Sequence, residues 1–258
     1  MATSGAGVAR HELAHGGAAS RRRGMKFRIA SDQSLLVYLG DAIGLEAHQR
    51  VVRLLRALER ARPAWLRNLN PAYCSLLVTF DATATGPGEV EQALTQIERE
   101  AESLPAPEVG TVEIPVCYGG EFGPDLEAVA AARGLEPERV IAIHTGEIYR
   151  SYFLGFAPGF AYLGDVPESI ATARHATPRR SVPAGSVGIA GRQTGVYPFS
   201  TPGGWQILGR TPLVMFRADR AAMSLIALGD RVRFRAITAG EFERMRAEVA
   251  ATEKAESA

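Results

Sequence analysis

The chain has 258 residues, 46% hydrophobic and 22% charged, enough for one large or two modest hydrophobic cores. A formal net charge of +1, with Lys and Arg spread along the chain beyond an N-terminal tail, argues against nucleic-acid binding. No apolar run is long enough to cross a bilayer, the N-terminus lacks the apolar core of a secretory signal, and Cys74 and Cys117 stand far apart in strand-like runs, which together predict free buried thiols in a cytoplasmic protein.

Residues 1–24, rich in Ala, Gly, Ser and Arg and almost without aliphatic anchors, are expected to form a disordered tail. An Arg-rich, acid-poor leader could also be a transit peptide, but it lacks an amphipathic face. Met25, directly before the first strand-like run, points to a misassigned upstream start. The run FRIASDQSLLVYLG alternates on either side of a polar break, as two short neighbouring strands would. From Leu45 to Ala61, Val51, Leu54, Leu55 and Leu58 recur at helical spacing with Arg and Glu on the other faces, so a helix should lie on a sheet and end at Pro63. AYCSLLVTFD then reads as a mostly buried strand, and Val90, Ala93, Leu94 and Ile97 mark a second helix. The order of strands, helix, strands, helix predicts a small ferredoxin-like α+β domain over residues 25–105.

From Thr111 the texture changes. VEIPVCYGGEFGPDL enters a Gly-rich turn, short helical patterns follow around Leu126 to Ala130 and Val140 to Ile143, and beyond His144 helices largely stop. Strand candidates YRSYFL, GSVGIAG, GWQILGR, LVMFR and DRVRFRAI between Gly/Pro turns predict a compact antiparallel β-barrel or sandwich over 110–240, before a charged helix over 241–258. The stretch Gly155 to Pro212 interleaves Phe156, Phe160, Tyr162, Tyr197, Phe199 and Trp205 with glycines and prolines, the pattern of shaped loops around a concave site; a β-rich domain with short turns would accumulate the same residues for purely structural reasons.

The chemistry available is narrow. There is no P-loop, no dinucleotide fingerprint and no HExxH or CxxC, so autonomous ATP binding and a metal site are not expected. Ser186 in AGSVG fits a nucleophile elbow only loosely and reads as a strand serine. What remains is a polar set: His144, Arg179, Arg180, Ser186, Gln193, Thr194, Tyr197, Arg210 and Thr211, suited to a small anionic ligand because guanidinium forks carboxylates while Gln, Thr and Tyr orient an amide. The alternatives are a structural His144, a solvated Arg179–Arg180 pair, and Tyr162 and Trp205 as core.

Taken together, GPDL (123–126), His144-Thr145, GFAPGFAYLG (155–164), TPRRSVPAGSVGIAG (177–191), QTGVYP (193–198), TPGGW (201–205) and GRTP (209–212) resemble the 5-oxoprolinase B-subunit family, also described as KipI or allophanate hydrolase subunit 1 proteins. The resemblance covers about Met25 to Ala239. It implies a cyclophilin-like barrel and partnership with a KipA-like C-subunit and an A-subunit, the three converting 5-oxo-L-proline to L-glutamate with ATP. In that reaction the lactam oxygen is phosphorylated, and its developing charge needs positioned donors. The catalytic candidates on this reading are His144 for proton transfer and Arg179 and Arg210 as donors; Phe160, Ser186, Gln193, Thr194, Tyr197 and Thr211 are candidate substrate contacts. The family often has a Pro-Arg pair where this chain has Ala173-Arg174, followed by His175, which leaves Arg174 without an inherited role. Two other functions stay open: inhibition of a sensor histidine kinase, and a carboxyltransferase module of the urea amidolyase type.

Overall fold

A computed structural model describes residues 24–102 and 110–256. The expected N-terminal tail, Gly24 apart, and the boundary expected between 105 and 110 lie outside the described residues.

The first half runs β1 (Lys26–Ser31), β2 (Ser34–Tyr38), α1 (Leu45–Ala61), β3 (Leu66–Ala72), β4 (Ser75–Phe80) and α2 (Pro87–Glu102). Its sheet has the order β1-β2-β4-β3 with every neighbour antiparallel. That is the strand order of a ferredoxin-like sheet in which β1, preceding the first βαβ crossover, fills the edge position usually supplied after the second helix. Val51, Leu54 and Leu58 of α1 and Val90 and Leu94 of α2 pack on Leu35, Val37, Leu76 and Val78 of the central strands. Each such side chain contributes about 1.5–3 kcal/mol on burial. Arg62 closes α1 in the left-handed conformation, its N–H donating to Leu58 O, before Pro63.

Strand β3, LRNLNPA, was not expected, and AYCSLLVTFD divides between the end of β3, a Tyr73-Cys74 turn and β4. Polar residues and Pro71 hide the strand signal because β3 is a sheet edge, where one face of its backbone needs no partner.

The second half runs β5 (Thr111–Tyr118), α3 (Leu126–Arg133), α4 (Pro137–Gly146), β6 (Ile148–Leu154), β7 (Ala161–Gly164), β8 (Arg179–Val182), β9 (Ser186–Ala190), β10 (Gln193–Val196), β11 (Thr201–Gly203), β12 (Gln206–Arg210), β13 (Arg231–Ala236) and α5 (Ala239–Glu256). Seven strands close a barrel in the order β10-β7-β6-β13-β5-β12-β9, so the molecule has the α+β class with a barrel that its sequence predicts. Its pairs are antiparallel except β13 with β5, which run parallel. Side chains from all seven strands, among them Val116, Tyr149, Leu163, Ile189, Val196, Leu208 and Phe234, meet in one cluster that α3 and α4 complete through Val129 and Val140. That cluster defines the barrel interior. β8 and β11 form a separate two-stranded ribbon. The expected strand LVMFR is a loop with a single bridge, Phe216 to Ser224, because no neighbouring strand offers it a ladder. The C-terminal helix α5 anchors through Phe242, whose ring lies 4.7 Å from Phe122.

Candidate functional site

The β9–β10 hairpin carries both faces of the problem. Side chains alternate across it, so Val187, Ile189 and Val196 enter the interior while Gly188 and Gly195 face outward.

On the interior side, Thr194 meets His144 of α4. Thr194 Oγ1 donates to Gly188 O at 3.0 Å, so it accepts from His144 Nε2–H at 2.9 Å, and His144 Nδ1 accepts from the Tyr118 hydroxyl at 2.7 Å. The Phe234 ring stacks on the imidazole at 4.5 Å. Both ring nitrogens are used and His144 is wholly buried; burial lowers its pKa to about 3, which holds it neutral. An imidazole with no exposure and no spare lone pair cannot exchange a proton with a substrate. The proton-transfer role expected for His144 does not fit this placement, nor does substrate contact by Thr194, which is equally buried.

On the outer side, the two glycines leave the hairpin bare. A Cβ on Gly195 would stand 3.2 Å from Phe160 and 3.3 Å from Trp205, and one on Gly188 would stand 3.3 Å from Trp205, so the rings lie directly on backbone. Phe160, Tyr197 and Trp205 pack edge to face, with centroids 5.4 Å (Phe160–Tyr197) and 5.3 Å (Phe160–Trp205) apart. Tyr162 adjoins both Phe160 and Trp205 and stacks on Phe153 at 4.2 Å. The ladder continues into the first half of the chain, where Tyr73 in the β3–β4 turn meets Phe153 at 5.0 Å and Tyr152 at 5.3 Å, and Tyr152 meets His48 of α1 at 4.9 Å. Phe156, 61% exposed and held at φ 69, puts its ring edge on Phe160; a bulky side chain in the left-handed region marks a loop held by its surroundings.

Charge collects at the rim of this aromatic face. Asp125, from the GPDL turn, behaves as a strand partner to β12: its N–H donates to Ile207 O and its Oδ2 accepts from Ile207 N–H at 2.6 Å. Its other oxygen pairs with Arg179, which also reaches Trp205 O. His175 Nε2 lies 3.3 Å from Asp125 Oδ2, at ion-pair distance but off the hydrogen-bonding direction. Arg174 sits over Trp205, its guanidinium carbon 5.9 Å from the ring centroid.

The expected site residues therefore divide. Phe160, Tyr197 and Arg179 share the outer aromatic face. Ser186, Arg210 and Thr211 gather around the Gly185 turn, where Arg210 pairs in register with Ser186, Arg210 Nε donates to Ala184 O, and Thr211 N–H donates to Gly185 O. Gln193 opposes Ala190 at the other end of the hairpin, away from Arg210. Tyr73, Asp125, Arg174 and His175 were not among the candidates. Asp125 had a signal in GPDL; Tyr73 had none, because its contacts cross between the two halves. Among the described residues no group of three His, Cys, Asp or Glu side chains could hold a metal ion, both cysteines are free, and no helix is long and apolar enough to cross a membrane.

The family model for the carboxyltransferase domain, subdomain C and D, matches residues 25–226, stopping short of β13, which closes the barrel. The 5-oxoprolinase B-subunit of Bacillus subtilis (strain 168) is 45% identical over 215 residues, 79% of this chain and 89% of that protein. Among solved structures, TTHA0988 superposes with a TM-score of 0.71 at 37% identity over 80% of this chain, which spans 40% of that one. Kluyveromyces lactis urea amidolyase, at 20% identity and a TM-score of 0.66 over 87% of this chain and 15% of that one, shares the fold. The chain belongs to the 5-oxoprolinase B-subunit family, within the carboxyltransferase subdomain C and D proteins.

Proposed function

We propose that the chain is a non-autonomous component of a cytoplasmic, ATP-dependent 5-oxoprolinase, acting with an A-subunit and a KipA-like C-subunit to convert 5-oxo-L-proline to L-glutamate. The observation that carries this reading is the 45% identity to a 5-oxoprolinase B-subunit across 89% of that protein's length. The sequence has no phosphate-binding loop motif, and on this reading ATP use belongs to the assembled complex. In the reaction, phosphoryl transfer from ATP to the lactam oxygen releases ADP. One water then adds at the ring carbon, the C–N bond breaks to give the γ-acyl phosphate of glutamate, and a second water releases inorganic phosphate. This chain's contribution is to bind and orient the substrate, with Arg179, held by Asp125, and Tyr197 on the face that meets it. His144 and Thr194 are reassigned to holding the barrel interior.

The test is reconstitution. The chain and its two partners together should form glutamate from 5-oxo-L-proline with stoichiometric ADP, and omitting this chain should abolish it; undiminished glutamate formation without the chain would defeat the reading. The carboxyltransferase family description favours a second reading, a carboxyl-transfer module. Bicarbonate- and biotin-dependent carboxylation of a urea-like substrate in place of lactam hydrolysis would establish that one.

A further inference from the structure

Most arginines around the barrel's outer aromatic face are engaged: Arg179 with Asp125, Arg192 at 3.9 Å from Asp165, and Arg150 with Gly229 O. Arg174 is different. Among the described residues no carboxylate lies within ion-pair distance of it, and its contact is with the face of Trp205. A guanidinium held over an indole face by this contact alone has N–H donors left to receive a carboxylate. Across the seam, the Tyr73 hydroxyl is shielded from solvent and has no hydrogen-bond partner. A shielded, unpaired hydroxyl is costly in a finished core and is what a binding site holds ready for a ligand's polar edge. A run of rings links the two groups: Arg174 lies over Trp205, Trp205 adjoins Tyr162 at 5.9 Å, Tyr162 stacks on Phe153 at 4.2 Å, and Phe153 meets Tyr73 at 5.0 Å. Burial raises the phenols of Tyr73, Tyr162 and Tyr197, and the charge of Arg174 opposes that rise at all three.

We propose that the seam between the β3–β4 turn and the barrel is the binding subsite for a small, flat cyclic amide bearing a carboxylate, with Arg174 forking the carboxylate and the Tyr73 hydroxyl hydrogen-bonding the amide edge. Trp205 and Tyr162, set edge to face at 5.9 Å, supply an aromatic corner for such a ring. The identification of this ligand as 5-oxo-L-proline rests on the function proposed above; the subsite itself rests on the geometry. Because Tyr73 belongs to the first half of the chain and Arg174 to the second, ligand binding would clamp the two together, and the expected departure at Ala173-Arg174 becomes the point of substrate contact.

The experiment uses the reconstituted complex. Arg174→Gln is expected to raise the KM for 5-oxo-L-proline about tenfold or more with kcat changed less than about threefold, Arg174→Lys to recover part of the loss, and Tyr73→Phe to raise KM by a smaller factor. Arg56→Gln, on an exposed turn of α1, serves as the control at wild-type values. A wild-type KM in Arg174→Gln would overturn the subsite while leaving the 5-oxoprolinase reading intact. If the wild-type complex has no lactam hydrolysis, the full chain is titrated calorimetrically with 5-oxo-L-proline and with 2-pyrrolidinone, which lacks the carboxylate. Binding of the acid alone, lost in Arg174→Gln, sustains the subsite without the function; no binding, or binding indifferent to Arg174, removes it.

Discussion

The inner and outer faces of one hairpin, β9–β10, show two ways of burying polar chemistry. Inside, the Tyr118, His144, Thr194 and Gly188 O chain pairs every side-chain donor it contains and is sealed by Phe234. Outside, Tyr73 keeps an unpaired hydroxyl and Arg174 lacks an acidic partner among the described residues, beside rings laid on bare glycine backbone. A completed network is a device for specifying a fold; an incomplete one is where a ligand finishes the structure. A histidine in a motif is therefore no guide to catalysis until its two nitrogens are accounted for.

The largest effect that would sharpen this contrast is on the inner face. Replacing His144 by Ala takes the acceptor from the Tyr118 hydroxyl, removes one of the two partners of Thr194 and opens a cavity, so thermal or urea unfolding should show a loss of about 3–5 kcal/mol. Turnover per folded molecule should hold near wild type; a selective collapse of kcat in folded protein would return His144 to the catalytic set.

Acid should act next, through buried histidines on both sides. In the unfolded chain His48 and His144 take up protons near their ordinary pKa of 6.5, whereas burial delays protonation in the fold to about pH 4 for His48, with the Arg150 charge assisting, and to about pH 3 for His144. The unfolded state binds more protons throughout that window. Stability from these groups is thus complete above pH 6.5 and is lost as the pH falls toward 4, by an amount on the order of a few kcal/mol. A melting temperature flat from pH 7 to 4.5 would contradict the neutral buried histidines. The smallest stability effect belongs to Arg174→Gln, which is exposed and should change unfolding by less than about 0.5 kcal/mol while altering KM.

The fold was legible wherever one periodicity ruled a segment. The spacing of Val51, Leu54, Leu55 and Leu58 announced α1, and the alternation in SLLVTF announced β4. It was illegible where burial did not write a pattern: the polar edge strand β3, and the apolar LVMFR, which packs as a loop with no neighbour to pair with. The candidate site was half legible. The glycines of GSVGIAG and QTGVYP and the aromatics Phe160 and Trp205 on either side of them in sequence do form one surface, because these rings need glycine beneath them. The motifs do not tell which face Thr194 takes, since a strand turns alternate residues to opposite faces: Thr194 goes inward, while Gln193 shares the outward side of Gly195 at the end of the hairpin away from Arg210. Tyr73 could not be found from local sequence, because its role depends on how two separately built sheets meet.

On this placement of side chains, substrate meets the outer aromatic face and not the barrel interior. The most direct test is a crystal structure of the complex with bound 5-oxo-L-proline. The carboxylate should lie within hydrogen-bonding distance of Arg174, with the ring between Tyr73 and Trp205; a ligand seated around Ser186, Arg210 and Thr211, or reaching His144, would rule this placement out.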